Sequence, residues 1–273
     1  MQLPQTDLHV TVWGEGEPVV MVHGSFTADP ASDDWIEQRP LSDRYQMIMP
    51  SRRGYFQSPP AEQGNFEVDA DDIAQLLSGI ENGAHLVAHS YGSLAAMLAA
   101  AQRPEAIRSL AVIEPPAFGV ARGNPDVEAI IARLEPVFAA APSLTPEAYL
   151  LSFRRALRGL PPDAPLELTE DERRELESPP ARQGVEATMR ERRPWEAIIP
   201  FEPLASAPFP KLVFSGGWSK AFDAVCDVLE QRLHAERAVC VGAGHAVQFV
   251  GQPFNERLVA FLGAIPPRPS SAS

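Results

Sequence analysis

The sequence predicts an α/β protein, a mostly parallel sheet with helices on both faces. Three observations carry this. Short apolar runs at residues 19–22, 85–89, 107–113 and 211–214 lack the strict polar alternation of a half-exposed strand, so each reads as a strand buried on both faces. Segments of helical periodicity fall between them, the rhythm of parallel strands joined by crossover helices. Of the 273 residues, 45% are apolar, enough to fill a large core between such layers.

In order, residues 8–13 alternate as a half-buried strand and run into the turn Gly14-Glu15-Gly16-Glu17-Pro18. This glycine pair is a turn and not a phosphate loop, because no helix follows it. Residues 19–22 end at His23-Gly24-Ser25-Phe26, and a short strand at 46–49 ends in Pro50-Ser51-Arg52-Arg53-Gly54-Tyr55. Over 66–80, Phe66, Ile73, Leu76, Leu77 and Ile80 recur at helical spacing. The acids Glu67, Asp69, Asp71 and Asp72 sit near the start of that helix, where its dipole favours them. Strand 85–89 meets an alanine-rich helix over 94–102, and 107–113 is the next strand.

The rhythm stops at Glu114-Pro115-Pro116 and resumes at Lys211. The intervening chain is rich in proline, arginine and glutamate. It has helical periodicity over 126–139, and Thr145-Pro146-Glu147 opens a second helix that Gly159 closes. Thr169-Glu170-Asp171-Glu172 has the form of a capping box. Apolar anchors such as Phe138, Tyr149, Phe153 and Trp195 argue for a folded helical insertion over a disordered linker, its charges forming a solvated face. A helix over 221–233, a last strand at 237–241, the loop Gly242-Ala243-Gly244-His245 and a helix at 255–262 complete the chain, with a tail expected to be loose from Pro266. The domain reading is a core of residues 1–116 and 206–273 with a helical cap at 117–205, lying over the sheet's carboxyl edge.

A formal charge of −13 without a compensating basic cluster argues against nucleic acid and anionic membrane surfaces as partners. The two cysteines, Cys226 and Cys240, fall in apolar segments and read as reduced core thiols. Residues 1–7 lack a basic and an apolar region, so no signal peptide is expected. The longest apolar stretch, near 94–101, is too short to span a bilayer. A cytoplasmic location is the expectation, and a homodimer is kept open. No histidine–cysteine–carboxylate cluster has metal-ligand spacing, so neither a metal nor a cofactor is expected.

The stretch that organises the chemistry is His85-Leu86-Val87-Ala88-His89-Ser90-Tyr91-Gly92-Ser93-Leu94. A buried strand breaks at a serine between small residues and turns into a helix, the context in which a G-x-S-x-G elbow carries a nucleophile. Residues two before and two after the serine must be small, or strand and helix collide. Here they are Ala88 and Gly92, an alanine standing for the first glycine. The alternative is that Ser90 only caps the helix.

The ordered landmarks His23-Gly24, Arg53-Gly54, Ser90 on its elbow and Gly242-Ala243-Gly244-His245, each after a strand, make the chain similar to the α/β-hydrolase superfamily over nearly all of its length. The resemblance implies an eight-stranded sheet with a cap inserted after the sixth strand. It also implies chemistry. A serine hydroxyl needs a base, and of six histidines the resemblance points to His245, brought over the elbow from the loop after the last strand. His9, His85 and His234 read as structural, and His23 as a brace for its own loop. His89 neighbours Ser90, but adjacent strand residues face opposite ways.

The acid stays open. The superfamily's commonest position follows strand 212–214, where Ser215-Gly216-Gly217-Trp218-Ser219 offers no carboxylate. Glu114, at the end of the preceding strand, ranks ahead of Asp223. An oxyanion hole would draw on the Tyr91 amide and on Ser25, with Phe26 the fallback. The function so implied is a serine hydrolase for a carboxylic ester or lactone, its small-molecule substrate mostly apolar, with the cap supplying the pocket. The alternatives are a non-hydrolytic ligand binder and a cofactor-free lyase or oxygenase on the same scaffold.

Overall fold

A computed structural model describes residues 6–266. Seven strands form one sheet: β1 (Val10–Trp13), β2 (Glu17–Val22), β3 (Tyr45–Pro50), β4 (Ala84–His89), β5 (Ile107–Ile113), β6 (Lys211–Ser215) and β7 (Glu236–Val239). Their order across the sheet is β1-β3-β2-β4-β5-β6-β7. β1 pairs antiparallel with β3, and every other pairing is parallel. The eighth strand implied by the resemblance is absent from the described residues. Ahead of β1 they contain only residues 6–9, and there the His9 carbonyl already accepts the Ser51 N–H at 2.9 Å as a continuation of the β1–β3 ladder. The long insertion therefore follows the fifth strand and not the sixth. The expectations for residues 1–5 and for the tail past Pro266 lie outside the described residues.

The crossover helices are α1 (Phe66–Ser78), α2 (Gly92–Gln102) and α8 (Lys220–Leu233), and α9 (Gln252–Gly263) follows the last strand. Asn65 caps α1, its side-chain oxygen accepting the Glu67 N–H at 2.9 Å. Side chains alternate between the sheet's faces, so Leu86 and Ala88 of β4 join one core with α1 and α2, while Val87 joins the other with α9.

Between β5 and β6 lie α3 (Pro125–Ala140), α4 (Pro146–Arg158), α5 (Glu170–Leu176), α6 (Pro179–Thr188) and α7 (Phe201–Ser206). Their boundaries follow local chemistry. Asn124, Thr145 and Ser178 cap α3, α4 and α6, each followed by a proline at the first helical position. Thr169 and Glu172 form the reciprocal capping box of α5. Gly159 stops α4 with φ 70°, a left-handed conformation that costs glycine little. A separate small core, built on Tyr149, Leu150, Leu168 and Val185, holds the insertion together and takes in Phe26 from the sheet side. Among the described residues no helix is long and apolar enough to cross a membrane.

Two buried histidines give the fold a pH dependence. His23 donates from Nδ1 to the Gly24 carbonyl (2.8 Å) and accepts the Arg52 N–H at Nε2 (2.9 Å), which fixes it as a neutral ring. Burial, with the Arg52 charge adding to it, pushes its pKa down to about 3. Burial pushes His85 down to about 4. The unfolded chain therefore binds protons below the usual 6.5 that the folded chain refuses, so stability falls as pH drops through 6.5. Asp69, raised to about 6 by burial, opposes this between about 4 and 6. With about 1.4 kcal/mol per pH unit for each group, these three groups together give a loss between pH 7.5 and pH 5 on the order of 3 kcal/mol, and His245, also lowered by burial, adds in the same direction. Urea unfolding at the two pH values measures it, and equal midpoints would contradict the assignment.

Candidate active site

At the end of β4 the chain turns so sharply into α2 that Ser90 takes φ 49°, a left-handed conformation costing a non-glycine residue roughly 1–2 kcal/mol. The turn is held by the Ser90 N–H on the Ile113 carbonyl, 2.9 Å. It works only because its neighbours are small. A side chain on Gly92 would collide with the His23 carbonyl, and one on Gly24 would press on Ser90 and His89. Alanine suffices at position 88, where the side chain packs into the core.

Ser90 Oγ lies 2.9 Å from Nε2 of His245, and His245 Nδ1 lies 3.1 Å from Oε2 of Glu114. His245 stands in the loop after β7. Burial lowers its pKa, and the hydrogen bond to Glu114 pulls it part of the way back. Its ring packs against Phe222 at 4.9 Å between centroids. Glu114 ends β5 with φ 49° and is fully buried. A buried carboxylate needs its acceptor sites filled, and here three donors fill them. Besides His245, the Gly216 N–H reaches Oε1 at 2.6 Å and the Trp218 indole N–H reaches Oε2 at 2.9 Å.

The carboxylate-free loop 215–219 is thus the seat for the carboxylate of the neighbouring strand. Gly216 must be glycine, because any side chain there would collide with the Gly244 carbonyl. That backbone approach brings the His245 loop beside Glu114. Asp223 is occupied elsewhere: it accepts the Ser215 hydroxyl at 2.6 Å and pairs with Arg237 at 3.2 Å. Trp218 and Gly216 had no signal in the sequence, since their role depends on a partner a hundred residues away in the chain.

His89 faces away from Ser90. Its Nε2 donates to the His245 carbonyl at 3.2 Å, while Gln248 donates to Nδ1 at 3.1 Å. It clamps the backbone of the His245 loop and leaves the serine to His245.

Above Ser90 opens a cavity of about 490 Å³. Phe118, Leu134, Phe138, Leu150, Phe153 and Phe222 make it mainly apolar, and Ser25, Tyr91, Glu191, Arg154 and Arg158 give it polar edges. Of the amides considered for an oxyanion hole, that of Phe26 is taken, donating to Thr188 Oγ1 at 2.8 Å. Among the described residues neither the Ser25 nor the Tyr91 N–H has a protein acceptor. No group of three or more His, Cys, Asp and Glu side chains is placed to hold a metal ion among the described residues.

The strand–elbow–helix around Ser90 and the order of the other site residues along the chain agree with one family pattern, which matches residues 19–257, nearly the whole chain. The chain belongs to the alpha/beta hydrolase family. Within it, this hydrolase-family chain is 31% identical over 117 residues to a cis-3-alkyl-4-alkyloxetan-2-one decarboxylase of Shewanella oneidensis, covering 41% of the chain and 36% of that protein. It is 37% identical over 109 residues to a 2-(acetamidomethylene)succinate hydrolase of Mesorhizobium japonicum, covering 39% and 38%. These matches span less than two fifths of either relative. A solved structure described as an N-acyl homoserine lactone degrading enzyme superposes with TM-score 0.60 at 22% identity, covering 95% of this chain and all of that one, which speaks for the fold.

Proposed function

We propose that this alpha/beta hydrolase cleaves a carboxylic ester or lactone of a small to mid-sized, mostly apolar organic acid through an acyl-enzyme on Ser90, beneath a cap formed by residues 117–205. The observation that carries the reading is the chain of contacts from Ser90 Oγ to His245 Nε2 (2.9 Å) and from His245 Nδ1 to Glu114 (3.1 Å). These lie at hydrogen-bonding distance, as a nucleophile, a base and an orienting acid require.

In the first half-reaction Ser90 Oγ bonds to the substrate carbonyl carbon while its proton passes to His245 Nε2. The carbonyl oxygen gathers the negative charge, and the Tyr91 and Ser25 amides receive it. His245 then gives the proton to the departing alkoxide oxygen as the C–O bond breaks. Water, deprotonated by the same nitrogen, then attacks the acyl carbon; the C–Oγ bond breaks, His245 returns the proton to Ser90 Oγ, and the acid leaves. Glu114 keeps the His245 proton on Nδ1 throughout, so that Nε2 starts as an acceptor, and it stabilises the imidazolium when both nitrogens are protonated.

The aromatic lining supports an apolar acyl or alcohol portion, and a lactone is the ester form degraded by the N-acyl homoserine lactone degrading enzyme whose fold this chain shares. The test is turnover of p-nitrophenyl butyrate and of a γ-lactone followed by acid release. Many turnovers per chain are expected with one or both. Saturable binding without release would return the ligand-binder alternative, and product other than acid plus alcohol would return the lyase or oxygenase alternative.

A further inference from the structure

We propose that the segment from Thr188 to Arg192, which belongs to the helical insertion, is a positioning element for the oxyanion hole. Its contacts would set the Ser25–Phe26 loop and the Tyr91 backbone for transition-state binding. This rests on the reading of Ser25 and Tyr91 as the amide donors.

Gly184, Thr188 and Glu191 are spaced by four and three residues, so they follow one face of α6 and its continuation. All three meet the same loop. Gly184 comes so close to the Thr27 carbonyl that any side chain would collide with it. Thr188 Oγ1 accepts the Phe26 N–H at 2.8 Å. Phe26 needs such a tie because it sits at φ 63°, a conformation a phenylalanine does not hold unaided. Glu191 Oε2 accepts the Ser25 hydroxyl at 2.6 Å.

The anchor beneath is rigid. Glu191 Oε1 accepts from the Arg52 guanidinium at 2.7 Å and from the Tyr55 hydroxyl at 2.7 Å. The Arg52 and Glu191 side chains are each 1% exposed. The same Arg52 nitrogen donates to the Gly24 carbonyl at 2.8 Å. Three consecutive loop residues, Gly24, Ser25 and Phe26, are thus held by one buried cluster that the insertion completes.

The second amide is tied to the same segment. The Tyr91 hydroxyl donates to the Arg192 carbonyl at 3.1 Å. The segment is itself sewn to the core by the Gly64 N–H on the Arg190 carbonyl (3.1 Å) and the Arg192 N–H on the Gly64 carbonyl (2.8 Å). The insertion therefore does more than enclose substrate. It finishes the part of the site that must be preorganised, where a displacement near 1 Å is enough to cost about two orders of magnitude in rate.

The experiment compares wild type with Thr188→Val, Thr188→Ser and Ser25→Ala, using p-nitrophenyl butyrate turnover and inhibition by a trifluoromethyl ketone that forms the tetrahedral oxyanion. Thr188→Val keeps the shape of the side chain but removes the hydroxyl that accepts the Phe26 N–H, donates to the Gly184 carbonyl at 2.9 Å and meets the Tyr55 hydroxyl at 3.0 Å. It is expected to lower kcat about 10- to 100-fold with KM changed less than about 2-fold, and to weaken trifluoromethyl ketone inhibition in proportion, less than the roughly 10²- to 10³-fold that outright loss of one oxyanion donor costs, because the amides stay and only their placement changes. Thr188→Ser restores the acceptor and is expected within about 3-fold of wild type. Ser25→Ala, which leaves Arg52 paired, is expected to fall in the same direction as Thr188→Val and decides between the outcomes if that variant does not fold. Unchanged kcat and inhibition in a folded Thr188→Val or Ser25→Ala overturn the inference while Ser90-dependent turnover keeps the functional reading intact. A wild type that turns over no ester removes the functional reading first, and the inference with it.

Discussion

Ser90→Ala will abolish ester turnover, a fall of about 10⁴-fold or more in kcat, together with labelling by a fluorophosphonate. The Oγ atom is the only part of the residue that changes, and it is the atom 2.9 Å from His245 Nε2. The fold should survive, because the elbow is held by the Ser90 backbone N–H on Ile113 and by the glycines around it, none of which the substitution touches. Intact mass spectrometry after labelling gives the answer: one adduct on wild type, mapping to Ser90, and none on the variant. An adduct that persists on the alanine protein would place the nucleophile elsewhere.

Glu114→Gln should lower kcat by roughly 10²- to 10⁴-fold, with Asp223→Asn changing it by less than about 3-fold. The carboxylate receives three N–H donors, from Gly216, Trp218 and His245. An amide of the same shape offers one oxygen and one NH₂ group, so at least one of those donors must face another donor. If that donor is His245, the ring flips to the tautomer with its proton on Nε2 and can no longer accept from Ser90.

The pH profile carries the same information independently. His245 must be neutral to act, so kcat/KM rises with pH through its pKa, which burial holds below the usual 6.5. The hydrogen bond to Glu114 raises that pKa, so its loss should move the acidic limb of the variant to lower pH. A limb that moved upward, or an Asp223→Asn protein as impaired as Glu114→Gln, would reverse the assignment of the acid.

Much of this was legible in the residue order because it is local. The buried strands announce themselves as apolar runs, and the insertion's helices by their caps, from Thr145-Pro146 to the Thr169–Glu172 box. The elbow reads from ten consecutive residues, since strand, strained serine and helix are neighbours in sequence. The resemblance supplied the eight-strand count, whereas the described residues form a sheet of seven.

What the tertiary structure decided involves partners far apart in the chain. Glu114 directly follows β5 and Asp223 lies in the first turn of α8, and in sequence either could be the acid. The choice depends on Gly216 meeting the Gly244 backbone and on the Trp218 indole turning inward, neither of which leaves a local pattern. Glu191 is the sharper case. It stands in the run Arg190-Glu191-Arg192-Arg193, whose charge reads as a solvated face, yet its side chain is 1% exposed. A charge of that kind is buried only when a paired, hydrogen-bonded environment awaits it. That environment, Arg52, Tyr55 and Ser25, lies more than 130 residues away in the chain and exists only once the insertion has folded back onto the sheet.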